Sequence, residues 1–74
     1  MNDEMEFFIF LIERYSYYKN KSAGEILKEL DEKNLTDFIY QMYEMYHTER
    51  IENAFIDIDN LINTGKPAWQ NILP

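Results

Sequence analysis

The chain has 74 residues, of which 14 are acidic and 7 are basic, so its formal net charge is −7. This length accommodates one hydrophobic core, and an apolar fraction of 46% is typical of a globular domain. The sequence contains no cysteine, which excludes disulfides and thiolate metal sites. Its acidic excess disfavours direct binding to DNA, RNA or anionic membranes, because those partners require Lys and Arg on the protein surface.

The start of the chain differs from a secretion signal, because acids stand where a signal peptide carries basic residues. These acids are Asp3, Glu4 and Glu6. The apolar run that follows, residues 7–12, is far shorter than the ~20 residues that span a bilayer. We therefore expect a soluble, cytoplasmic protein that makes no contact with a membrane.

The first predicted element is a helix over residues 3–20. Asn2 or Asp3 is placed to cap its first turn, where acidic residues also interact favourably with the helix dipole. Apolar and aromatic residues recur behind this cap at helical spacing and define one broad core-facing side. They are Met5, Phe7, Phe8, Leu11, Ile12, Tyr15 and Tyr18.

Two shorter helices are predicted next. The first covers residues 22–32 and begins with Ser22-Ala-Gly-Glu25, the pattern of a capping box. Its core stripe is Ala23, Ile26, Leu27 and Leu30. The second covers residues 36–47, with Thr36 as its N-cap, and its core face is Leu35, Phe38, Ile39, Met42, Met45 and Tyr46.

The stretch YEMYHTERIENAFIDIDNLI, residues 43–62, contains the only histidine and two Asp residues at i, i+2. Its apolar residues match helical offsets better than strand alternation, which predicts a helix over 49–64 between Thr48 as N-cap and Gly65. The core stripe is Ile51, Ala54, Phe55, Ile58, Leu61 and Ile62. The alternative is an irregular segment over 50–56, because Asn and Asp are weak helix formers.

These elements predict an all-α fold. It is a small bundle of three to four helices within a single helical domain over residues 1–64, followed by a C-terminal tail over 65–74. Whether this tail packs on the domain is left open by the sequence.

His47 is predicted to lie on the outer face of the third helix, near Tyr40, Tyr43 and Glu44. A catalytic histidine needs an orienting carboxylate and a substrate pocket. Glu44 offers the first, but nothing in the sequence indicates the second. We therefore predict a solvent-facing or capping histidine and no catalytic residue, and an enzyme that uses His47 is the third and least favoured hypothesis.

Asp57 and Asp59 open a pattern that resembles the start of a calcium-binding loop. Such a loop needs an oxygen ligand, a Gly and a Glu at its fifth, sixth and twelfth positions, where this chain has Leu61, Ile62 and Ala68. On a helix, two side chains at i, i+2 also point about 160° apart. The sequence therefore predicts solvated acids, no metal site and no cofactor.

Four motifs resemble a family of short, all-helical bacterial proteins classed as a domain of unknown function. They are Ile12-Glu13-Arg14-Tyr15, Gly24-Glu25-Ile26-Leu27, Tyr46-His47-Thr48 and Asp57-Ile58-Asp59, and they span about residues 7–64. The family pattern often has Gly after His-Thr, where this chain has Glu49 and Arg50. The resemblance implies a compact helical protein without assigned activity. Some members are encoded beside ADP-ribosyltransferase-like domains, which implies an antitoxin-like or inhibitor role.

Several large apolar side chains fall outside the predicted core faces. Phe10 and Tyr17 lie opposite the core side of the first helix, Tyr40 points away from the core of the third, and Trp69 lies in the tail. In a chain this small, these four residues either cap the core or form an interface with another protein. The interface is our hypothesis, because Trp and Tyr are enriched at binding hot spots. The leading hypothesis is a small, acidic, non-enzymatic protein-interaction module that self-associates or binds a partner protein. The alternative is a nucleic-acid mimic or regulator that occupies a basic groove.

Overall fold

The computed structural model describes residues 2–69, and within them it contains helices and no strand, which confirms the predicted all-α class. Five helices follow one another along this part of the chain: α1 (Asp3–Lys19), α2 (Ala23–Glu32), α3 (Thr36–Gln41), α4 (Tyr43–Tyr46) and α5 (Ile51–Thr64). None of the helices in this region combines the length and the apolar character needed to cross a membrane.

Three of the predicted helix ends are confirmed. The Asn2 side chain accepts a hydrogen bond of 2.7 Å from the Met5 amide at the start of α1. Both bonds of the capping box between Ser22 and Glu25 are present at the start of α2. Gly65 ends α5 in the left-handed conformation at φ 79°, which glycine adopts without steric cost.

Two predicted N-caps are wrong. Leu35 takes the cap position of α3, and the Thr36 hydroxyl instead donates to the Asp31 carboxylate over 2.7 Å. Arg50 takes the cap position of α5, and the Thr48 hydroxyl donates back to the Met45 carbonyl over 3.0 Å. In both places the hydroxyl bonds toward the preceding residues of the chain rather than to an amide of the following helix.

The predicted third helix is divided in two. The Met42 amide bonds to the Ile39 carbonyl, and the Met45 amide bonds to the Met42 carbonyl. Bonds across three residues make a tighter turn than the four-residue bonds of an α-helix, so α3 and α4 are separated at Met42. The predicted fourth helix begins two residues later than expected, but residues 51–56 are helical.

The core forms where the apolar faces of all five helices meet. Its buried apolar members are Leu11, Ile12, Tyr15, Ile26, Leu30, Leu35, Ile39, Tyr46, Ala54, Phe55, Ile58 and Leu61. Four residues predicted for the core are exposed instead: Met5, Tyr18, Leu27 and Met45. The predicted apolar faces are wider than the part of each helix that is buried in the structure. A small domain buries a smaller fraction of its surface than a large one does.

The chain folds back onto α5 after Gly65. Pro67 is buried, and the Ala68 amide donates to the Asp57 carboxylate over 3.2 Å. The Thr64 hydroxyl accepts from the Lys66 amide over 3.2 Å and so supports the turn. The first part of the predicted tail, up to Trp69, therefore packs on the domain, and residues 70–74 lie outside the described part of the chain.

Candidate interaction surface between α1 and α5

Aromatic side chains join α1 to α5. The Phe55 ring stacks on the Tyr18 ring with centroids 5.0 Å apart and an interplanar angle of 20°. On the core side, the same ring lies 5.7 Å from the ring of Tyr15. Offset aromatic pairs of this kind stabilise a fold beyond the area that they bury. Phe55 is therefore held rigidly between the two tyrosines.

Asp59 adds a polar connection to the same seam. Its carboxylate accepts a hydrogen bond of 2.5 Å from the buried Tyr15 hydroxyl and lies 3.2 Å from the Lys19 ammonium. Burial raises the pKa of the Tyr15 hydroxyl, and the hydrogen bond to Asp59 and the charge of that carboxylate raise it further. Tyr15 therefore remains a neutral donor at physiological pH.

Asp57 lies on the other side of α5 and is buried, with 7% of its surface exposed. It accepts the Ala68 amide, and it faces the buried Tyr46 hydroxyl, whose pKa is raised by burial and by the Asp57 charge. Burial also raises the pKa of Asp57, although the hydrogen bond from the Ala68 amide and the contact with the Tyr46 hydroxyl oppose that shift. The Tyr46–Asp57 contact is a charge–dipole contact rather than a well-formed hydrogen bond, because its geometry falls short of one.

The expectation that Asp57 and Asp59 are solvated is therefore wrong. The two carboxylates do point to different sides of α5, since Asp57 faces α4 and the tail while Asp59 faces α1. Each of these two sides packs against another segment of the chain, which supplies a partner for the carboxylate. The described residues contain no group of three or more His, Cys, Asp or Glu that is placed to hold a metal ion.

A groove runs along the seam on the outer surface, and we call it the α1–α5 groove. It encloses about 630 Å³ and is mainly apolar. Its walls are formed by Phe10, Arg14, Tyr17 and Tyr18 of α1 and by Ile51, Glu52, Phe55 and Ile56 of α5. Tyr17 is 88% exposed, Ile56 52% and Phe10 44%, so large apolar side chains face solvent on both walls.

Two further depressions each share one residue with this groove. The first, which we call the α1–α4 depression, shares Phe10 with the groove and is lined by Asp3, Glu6, Phe7, Phe10, Tyr43 and His47. The second, which we call the tail depression, shares Ile56 and is lined by Met45, Glu49, Asn53, Ile56, Asp57, Ala68 and Trp69. Regions that carry carboxylates therefore border the apolar groove at Phe10 and at Ile56.

The four predicted interface residues do not form one cluster. Phe10 and Tyr17 line the α1–α5 groove, and Trp69 lies in the tail depression, which Ile56 connects to the groove. Tyr40 is separate from this surface: it is half-buried, and its ring lies 5.7 Å from the ring of Phe8. Its aromatic ring therefore helps to pack α3 on α1.

Sequence reasoning missed Tyr18 and Ile56 as surface residues of the groove. Tyr18 was assigned to the core stripe of α1, and only its tertiary contacts place it at the edge of the core. Phe55 is buried in the core, as predicted, and also forms part of the groove wall. Ile56 did have a sequence signal, since it is the apolar residue of residues 51–62 that falls outside the core stripe of α5. An off-stripe isoleucine on a helix marks a candidate contact surface.

His47 is exposed, as predicted, and its ring stacks on the Tyr43 ring with centroids 4.1 Å apart and an interplanar angle of 1°. Its Nδ1 atom lies 2.6 Å from the Tyr43 carbonyl oxygen, so this nitrogen carries the proton and donates. The imidazole is oriented by a backbone carbonyl of its own helix rather than by a carboxylate. This contact is that of a helix-capping histidine.

The fold and this surface define a small all-α protein with an exposed groove between its first and last helices. The chain belongs to the family described as "Protein of unknown function (DUF3791)", whose model matches residues 6–64, from the first turn of α1 to the last residue of α5. The resemblance to a helical family without assigned activity is thereby confirmed. Searches of curated proteins and of solved structures found no match to the chain.

Proposed function

We propose that this protein is a non-enzymatic interaction module that binds a partner protein in the α1–α5 groove. The observation that carries this proposal is the exposure of Phe10, Tyr17 and Ile56 around one concave surface. A contiguous apolar concavity of this kind is typical of binding sites, because isolated apolar side chains on a surface rarely surround a common cavity.

The rigidity of the groove supports the same proposal. Phe55 forms part of its wall and is fixed by rings on either side, while Asp59 bonds α5 to Tyr15 of α1. A binding site whose walls are already ordered loses less conformational entropy when its ligand binds. Tyr17 and Tyr18 also supply aromatic area of the kind that dominates binding hot spots.

Affinity capture from the native host, with a groove variant and a matched control, tests this proposal. The groove variant carries Phe10→Ser and Ile56→Ser, and the control carries Leu27→Ser, an exposed apolar residue of α2 outside the groove. We expect a stoichiometric protein partner with the wild type and with the control, and its loss with the groove variant. Retention of the same partner by the groove variant contradicts the proposal.

The inhibitor-like or accessory role implied by the family resemblance, and a cytoplasmic location, belong to the same proposal. Once a partner protein is identified, its activity can be assayed with and without this protein to test for inhibition. Mimicry of nucleic acid is the alternative, and the net charge of −7 is the observation that favours it. Salt separates the two, because mimicry of nucleic acid weakens steeply as ionic strength rises, whereas apolar docking with acids only at its rim weakens much less.

A further inference from the structure

We propose that the α1–α5 groove accepts an amphipathic helix of a partner protein, with basic residues beside its apolar face. This inference rests on the proposed function and adds the chemistry of the partner. It is carried by the shape of the groove and by the position of the charges around it.

The walls of the groove are helix surfaces, which suits a third helix. Phe10, Arg14 and Tyr17 stand at i, i+4 and i+7 and extend over about two turns of α1, or roughly 11 Å. Ile51 and Phe55 stand at i and i+4 on the opposite wall. A helix laid between two such walls contacts both of them with apolar residues at the same spacing, and this is the mode in which proteins bind amphipathic helices.

Carboxylates border the apolar section. Asp3 and Glu6 lie in the α1–α4 depression past Phe10, and Glu49 lies in the tail depression, which shares Ile56 with the groove. These acids are complementary to Lys or Arg beside the apolar face of a bound helix.

The charges within the groove itself are already engaged. The guanidinium carbon of Arg14 lies 5.2 Å from the centre of the Phe10 ring, and Glu52 lies 3.3 Å from Arg50. Both contacts are within this chain, so the middle of the groove presents mainly apolar surface. The bound helix is therefore apolar on the face that enters the groove and basic beside that face.

The same charges argue against a second copy of this chain as the occupant. In a twofold contact through the groove, the same surface of each copy faces its counterpart. Two chains that each carry a net charge of −7 then approach with their acidic depressions near one another. Like charges across an interface oppose association, whereas basic residues on a partner favour it.

Three synthetic peptides of about four helical turns test the inference by fluorescence anisotropy against the full chain. The first has Leu on one face and Lys on the other, the second has Glu in place of every Lys, and the third has Ser in place of every Leu. We expect the Leu/Lys peptide to bind at least about tenfold more tightly than either of the others. A groove variant, Phe10→Ser with Ile56→Ser, should weaken the Leu/Lys peptide by about tenfold, and Leu27→Ser should leave its affinity unchanged.

A second pair of variants tests the acids beside the groove. Asp3→Asn with Glu6→Gln removes the acids of the α1–α4 depression, and Glu13→Gln with Glu25→Gln removes two exposed acids of α1 and α2 outside it. The first pair should weaken the Leu/Lys peptide several-fold more than the second, at about 50 mM salt. Equal losses from both pairs mean that net charge alone attracts the peptide, which overturns the inference.

Other outcomes separate this inference from the proposed function. Equal binding of the Leu/Glu peptide, lost in the groove variant, overturns the basic partner but leaves the groove as a binding site. Equal binding of the Ser/Lys peptide overturns the apolar contact. A stable dimer in sedimentation that the groove variant dissociates makes a second copy the occupant. Tighter peptide binding after Ile72→Ser with Leu73→Ser makes the end of this chain the occupant.

Discussion

Asp59 connects two helices through two different groups of α1. The Tyr15 hydroxyl donates to the Asp59 carboxylate, and the Lys19 ammonium lies 3.2 Å from the same carboxylate oxygen. Tyr15 is buried and Lys19 is partly exposed, so the hydroxyl bond is shielded from water while the ion pair is screened by it. We therefore expect the hydroxyl to contribute more to stability than the ammonium does.

The variant Tyr15→Phe removes this hydroxyl and keeps the buried ring. We expect it to lower the free energy of unfolding by about 1–2 kcal/mol, because a buried hydrogen bond to a charged acceptor is lost. Urea denaturation at neutral pH measures the change. Tyr17→Phe is the matched control, since Tyr17 is 88% exposed on the same helix, and it should leave the stability unchanged. Equal effects of the two substitutions contradict the assigned role of Asp59.

The buried carboxyl of Asp57 makes stability depend on pH. Burial raises its pKa in the folded protein above the ordinary value of 3.8, so the folded state binds this proton more tightly than the unfolded state. Its contribution is therefore most favourable at low pH and is lost as pH rises through the raised pKa. At neutral pH the buried charge opposes folding.

Asp57→Asn removes the charge and keeps an oxygen that accepts the Ala68 amide. We expect the variant to be more stable than the wild type at pH 7, and the difference to vanish at and below pH 3.8, where the wild-type carboxyl is protonated. Thermal unfolding of both proteins across this range measures the difference. A difference that is constant with pH is the contrary result.

Among the helices, α2 has the best-defined start. Ser22 and Glu25 each accept a backbone amide of the other, so two amides that the first turn leaves unpaired are satisfied. The start of α5 has no side-chain cap, because Arg50 occupies that position and Thr48 bonds backward. Two hydroxyl residues that look equivalent in the sequence therefore have different roles.

This difference predicts unequal effects of two similar substitutions. Ser22→Ala should lower the free energy of unfolding by about 1 kcal/mol, because it removes the N-cap of α2. Thr48→Ala should change it by less than about half as much, since an exposed backward bond to a carbonyl adds little. Chemical denaturation measures both. A larger effect at Thr48 than at Ser22 is incompatible with the helix starts seen in the structure.

Local sequence predicted most of the elements but not the surface that they form. Phe10 and Tyr17 could be found because they lie opposite the core stripe of α1, and that stripe depends only on helical spacing. Tyr40 has the same pattern but is half-buried against Phe8, on a helix more than 20 residues earlier in the chain. Whether a residue outside the core stripe is buried depends on how its helix crosses the others. The spacing of residues within one helix gives no information about that crossing.

For the molecule as a whole, 14 acids and 7 bases produce self-repulsion in the compact state. We expect the melting temperature to rise by a few degrees when NaCl increases from about 20 mM to about 500 mM at pH 7, because salt screens this repulsion. Calorimetry measures the shift in melting temperature. Sucrose at equal osmolality is the control, because it is uncharged and cannot screen the repulsion between acidic residues. A fall in melting temperature means that attractive ion pairs such as Lys19–Asp59 outweigh the repulsion.

Local sequence patterns were enough to predict the helical class, the capping box of α2, the end of α5 at Gly65 and most of the buried stripe residues. All of these depend on interactions within about four residues of the chain. Tertiary contacts, in contrast, set the roles of Asp57 and Asp59, the position of Tyr40 and the shape of the α1–α5 groove. These depend on distant contacts such as Tyr15 with Asp59, which lie 44 residues apart. The pattern of one helix cannot specify which other helix covers it.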